Sequence, residues 1–123
     1  MAEHLRTSRV VIGNEVRFGF ELPAALASRF AAVFAAVDAG QGKENRDALQ
    51  ATMLEFAELA LIHFYDDFVR PMELGFIKQK VSDVGRATIN KGIQVAIKKL
   101  VPQLGQKDMA LFVAHYRSMI VQA

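Results

Sequence analysis

Cysteine is absent from this 123-residue chain, and that absence excludes a disulfide framework, a thiolate zinc site, an iron–sulfur cluster and a cysteine nucleophile. Any metal chemistry would fall to three histidines and thirteen carboxylates. Long apolar runs are lacking too. The most apolar stretch, Phe30 to Val37, has eight residues, against the roughly 20 that span a bilayer. Charges at Glu3, Arg6, Arg9, Glu15 and Arg17 interrupt the first twenty residues, which leaves no apolar core for a secretory signal and points to a cytoplasmic protein without a membrane partner. No Asn-x-Ser/Thr acceptor, no Gly-x-Ser-x-Gly elbow and no Glu-x-x-His pair occurs, and no internal repeat is found.

Against these absences stand 52% hydrophobic and 23% charged residues, a balance that excludes a disordered tail. At this length a single core buries roughly two thirds of the surface that the unfolded chain exposes, so one domain over 1–123 is expected.

The hydrophobic pattern changes period at residue 22. From Val16 to Leu22 apolar residues alternate with polar or small ones, which places Val16, Phe18, Phe20 and Leu22 on one strand face. Val10, Val11 and Ile12 precede Gly13-Asn14, a pair suited to a II′ turn, so a short β-hairpin is expected at about 9–22. Proline and glycine then punctuate a helical chain. Pro23 suits a helix start and Gly40 an end, bounding a first helix at 23–38 with Leu26, Phe30, Val33, Phe34 and Val37 as its core stripe. Its back carries Ala27, Ala31 and Ala35, smooth enough for another helix to approach.

The loop from Asp38 to Asn45 contains Gly42-Lys43, but one residue separates Gly40 from Gly42 and Glu44 follows the lysine, so it is no phosphate-binding loop. A second helix is expected at 45–69, stopped by Pro71, with Met53, Leu54, Ala57, Leu61, Phe64 and Phe68 inward. Leu59, Ile62 and Val69 fall on its other side, and apolar residues on two sides mark either a central helix or half of an oligomer contact. A third helix is expected at 71–80 with Leu74, Ile77 and Val81 inward. A fourth, at 83–100, would be capped by Ser82-Asp83, and a fifth spans 107–122 with Met109, Phe112, Val113, Tyr116, Met119 and Ile120 inward. The fold class is therefore mainly α, a four- to five-helix bundle preceded by a short N-terminal β-hairpin.

Charge is segregated along the chain. Residues 44–73 hold seven acids and two bases, a net −5, and residues 74–107 hold seven bases against Asp83, a net +6. Opposite blocks in consecutive elements most simply pack as neighbours. The sharper reading gathers Lys78, Lys80, Lys91, Lys98 and Lys99 into a basic patch for phosphates or an acidic partner. Phe76 is the one aromatic from 74 to 107, lysine outnumbers arginine, and no helix-turn-helix pattern is found, so sequence-specific reading of nucleic acid is not expected. Glu55, Glu58 and Asp66 share one broad side of the second helix with His63 and Asp67, a donor set known from iron, manganese and zinc sites, yet the motif of a di-metal bundle is missing.

These patterns lead to a small non-catalytic interaction or regulatory protein without a cofactor, an oligomer or a subunit of a larger assembly. Its partner-binding surface is expected at Leu59, Ile62, Val69, Ala27 and Ala31. The alternative is a nucleic-acid-binding subunit that grips backbone phosphates through the basic patch in residues 78–107.

Overall fold

The computed structural model describes residues 7–12 and 14–120. Two strands come first, β1 (Thr7–Ile12) and β2 (Glu15–Phe20), paired antiparallel with Thr7 opposite Phe20 and Ile12 opposite Glu15. Gly13, at the expected turn, lies outside the described residues. The main helices follow: α1 (Ala24–Asp38), α2 (Arg46–Leu61), α3 (Gly75–Leu100) and α4 (Gln106–Met119). The fold is mainly α.

Helix α1 begins after Pro23, whose φ of −54° presets the entry, and all five residues of its expected stripe are buried. Its end is set by Gly40 at φ +80°: the Gly40 N–H donates to the Val37 carbonyl and Gln41 N–H to Ala36, which satisfies two carbonyls that the last turn leaves open. The side-chain amide of Gln106, on α4, clasps this corner from both sides. It donates to the Val37 carbonyl and accepts from the Gly42 N–H, each at 2.7 Å. A short 3₁₀ turn (Lys43–Asn45) leads into α2, and Arg46 reaches the Leu104 carbonyl ahead of α4.

The core is assembled from α1 (Leu26, Phe30, Val33, Phe34, Val37), the first turn of α2 (Leu49), Val101 and α4 (Met109, Val113). Phe30 and Phe56 meet edge to face at 6.0 Å, with Tyr116 stacked on Phe30 and edge-on to Phe56. Thr52 is buried as well, its hydroxyl donating to the Leu49 carbonyl at 2.8 Å, so this polar group costs little inside.

Three expectations are corrected. The helices expected at 71–80 and 83–100 are one, Gly75–Leu100, because Ser82 and Asp83 lie inside it and cap nothing. Ile77 and Val81, expected inward, face solvent. On the second helix Met53 and Leu61 lie inward as expected, together with Leu49, Thr52, Phe56, Leu59 and His63, whereas Phe64 and Phe68 are exposed, and Leu59, expected at a partner surface, packs against the core. The second helix also changes its winding. Ile62–Asp66 form a π turn, closed by the Asp67 N–H donating to the Ile62 carbonyl, before the helix ends at Val69. The last helix ends at Met119, and residues 121–123 lie outside the description.

Candidate functional site

The wide turn at Ile62–Asp66 sends neighbouring side chains in different directions. His63 points inward, 5% exposed, and its ring lies parallel to Phe20 of β2 at 4.7 Å, which ties the strand pair to the helices. Its Nδ1 is 3.6 Å from Asp67 Oδ2, and Arg70 approaches the other Asp67 oxygen at 2.9 Å. Tyr65 and Asp66 turn instead toward α3.

Gly75, at φ +65°, opens the 26 residues of α3, a rod of about 39 Å in which no residue is fully buried. Successive residues advance by about 100°, so Ser82, Arg86, Ile93 and Ile97 share one side, and that side rests on α2. The Tyr65 hydroxyl lies 2.9 Å from Ser82 Oγ and donates to the Ser82 carbonyl at 3.1 Å. Arg86 bridges two acids, with Nη2 3.1 Å from Asp66 Oδ2 and 3.0 Å from Glu58 Oε1. Hydrogen bonds to Asp66 and then Glu58 hold this guanidinium above its usual pKa.

The opposite side of α3 has no cover among the described residues. Ile77 is 76% exposed, Val81 69% and Val84 68%, and Val95 continues the line at 43%. With Thr88 and Lys91 they repeat at three- and four-residue steps and fall within about 40° of one line down the helix, the seam geometry of a helix that meets another helix. Phe76 flanks the start of the line, the Lys80 Nζ 4.6 Å from its ring centroid. Lys80, Lys91 and Lys98 share one edge of the seam, while Lys99 and Lys78 lie toward the other. The basic patch is therefore an edge of three lysines with two set apart. Among the described residues none of the five makes an ion pair, and Arg86 is the cation that bridges the acidic and basic blocks.

The acids of α2 are placed individually. Glu55 pairs with Arg29 of α1, Glu58 and Asp66 with Arg86, and Asp67 with Arg70. Among the described residues no three metal-type donors converge. Of the residues expected at a partner surface, Ala27 and Ala31 are exposed on the outer side of α1, and Ile62 and Val69 are half-buried. The outer face of α3 is absent from that expectation. Its signal was the 77–81–84–88–95 spacing, which the supposed break at Ser82 cut in two.

Comparison of the chain with protein-family models, with curated proteins and with solved structures gives no match in any of the three. Among the described residues no helix is long and apolar enough to cross a membrane.

Proposed function

We propose that the protein acts by association and without catalysis, as an interaction or regulatory subunit of an oligomer or larger assembly, and that the outer face of α3 is where it associates. The carrying observation is the exposure of Ile77, Val81 and Val84 on successive turns, with Val95 farther along the same line, on a helix that rests on α2 along its opposite side. Isolated exposed apolar residues are ordinary, but a seam of them is characteristic of a surface that meets another molecule.

The test is the native mass. In extract of the source cells at physiological salt the chain should run in a species larger than 13.6 kDa, and Val84→Asp should return it to that size with its helical circular dichroism intact. A wild-type chain that stays at 13.6 kDa, in extract and purified at micromolar concentration, refutes the reading.

The unpaired state of Lys78, Lys80, Lys91, Lys98 and Lys99 among the described residues supports the second reading, a grip on nucleic-acid phosphates. A gel shift at about 50 mM salt that fades steeply with added salt, and weakens in the triple variant Lys91→Gln, Lys98→Gln, Lys99→Gln, is its expected outcome. No shift at that salt removes it.

A further inference from the structure

The outer face of α3 carries two features that specify its occupant, and the inference rests on the association reading above. The first is charge. The seam of Ile77, Val81, Val84 and Val95 is lined along one edge by Lys80, Lys91 and Lys98, with Lys99 across from them and no acid between the two edges. A second copy of α3 fits poorly against such a surface. Packed antiparallel about Thr88, the two lysine edges would fall on the same side and stand in one row, and packed parallel, Lys91 would meet itself in the seam. The second feature is a pair of glycines inside the helix, Gly85 and Gly92, beside the seam on the side away from the lysine row. A Cβ added at either meets nothing within 4 Å. Glycine weakens a helix interior relative to alanine, and no contact among the described residues requires it at either position. Missing side chains there lower the surface where an incoming helix would rest.

We propose that this face docks an acidic amphipathic helix of a partner protein. The partner's apolar stripe lies along Ile77, Val81, Val84 and Val95, sinking beside Gly85 and Gly92, and its carboxylates meet Lys80, Lys91 and Lys98. The apolar contact supplies affinity, and the lysine edge sets orientation and speeds encounter.

The probe is a synthetic peptide of three heptads with leucine at the two seam positions and glutamate at the flanking ones, labelled for fluorescence anisotropy and titrated with the full chain. Expected is saturable binding that drops at least tenfold with Val84→Asp, at least threefold with Lys91→Glu plus Lys98→Glu, and at least threefold with Gly92→Leu. A scrambled peptide of the same composition, and one with lysine in place of glutamate, should bind at least tenfold more weakly. Failure of the acidic peptide to bind, or equal binding of the scrambled peptide, overturns the proposal. A purified chain that sediments as a dimer and is split by Val84→Asp also overturns it, because the face then belongs to a second copy, while the association reading survives. Oligonucleotide binding abolished by Val84→Asp assigns the face to nucleic acid and overturns it as well. A chain that is a monomer both alone and in extract, with no peptide bound, removes the proposal and the association reading together.

Discussion

The Tyr65 hydroxyl sits 2.9 Å from Ser82 Oγ and donates to the Ser82 carbonyl at 3.1 Å, joining the π turn of the second helix to the second turn of α3. A serine followed by aspartate is an ordinary helix start, yet here the serine faces a tyrosine in the interior of a helix. Asp83 is occupied within its own helix, accepting from Gln79 Nε2 at 2.8 Å.

Tyr65→Phe removes this link while keeping the ring. A partly buried hydrogen bond contributes about 1 kcal/mol net, so the variant should be less stable by about that amount in urea titration. Amide exchange should quicken along the first half of α3 and stay unchanged in α1. Equal exchange across α3 would show that the link is not what holds that half of the helix.

Gly42→Ala should be costly, although the backbone conformation suits alanine. The added Cβ would come within 2.5 Å of Gln106 Oε1 and 3.0 Å of the Met109 sulfur. Gln106 cannot retreat without releasing the Gly42 N–H and the Val37 carbonyl, and Met109 is wholly buried. A loss of about 2 kcal/mol is expected, and in a double-mutant cycle Gly42→Ala should cost less once Gln106→Ala has already been made, the remainder being the approach to Met109.

Gly92→Ala should act oppositely. Nothing lies within 4 Å of the new Cβ, so the isolated chain should gain about 1 kcal/mol and melt a few degrees higher. An unchanged or lower melting temperature would mean that the glycine has a use inside this chain.

Acid should loosen the contact between α1 and α4. Hydrogen bonding by Arg117 holds the Asp38 carboxyl below its usual pKa, outweighing the slight burial that raises it, with the Arg117 charge adding to the lowering. A carboxyl depressed in the folded state contributes stability above its unfolded value of about 3.9, and that contribution disappears as pH falls through the folded value. The stability difference between wild type and Asp38→Asn should therefore be constant above about pH 5 and shrink below about pH 4, as read by denaturant titration at each pH. A difference independent of pH would remove the carboxylate's role.

Legibility in the sequence varied by helix, for physical reasons. In α1 the apolar residues occur on the core side and little else is apolar but alanine, so the stripe of Leu26, Phe30, Val33, Phe34 and Val37 was readable as it stands. In α4 Met109, Phe112, Val113 and Tyr116 pack as expected, while Met119 and Ile120, at the end of the helix, are exposed. In α2 two core positions are polar. Thr52 satisfies its hydroxyl on its own helix and His63 stacks on Phe20, so a count of apolar residues drew the stripe toward Phe64 and Phe68. The π turn added a further shift of phase that no periodic template contains. In α3 the capping residues Ser82 and Asp83 implied an end where tertiary contacts carry the helix through.

The nine residues of the core cluster leave a gap from residue 50 to residue 100, where Met53, Phe56, Leu59 and Ile97 pack against the cluster only partly buried and polar contacts add to the hold. At one end is a block sealed by oily contact. From it projects a two-rod handle, braced at its far part by a phenol and a guanidinium. Dissolved salt screens the guanidinium brace and leaves the block unaffected, whereas trimming a methyl group in the block does the reverse.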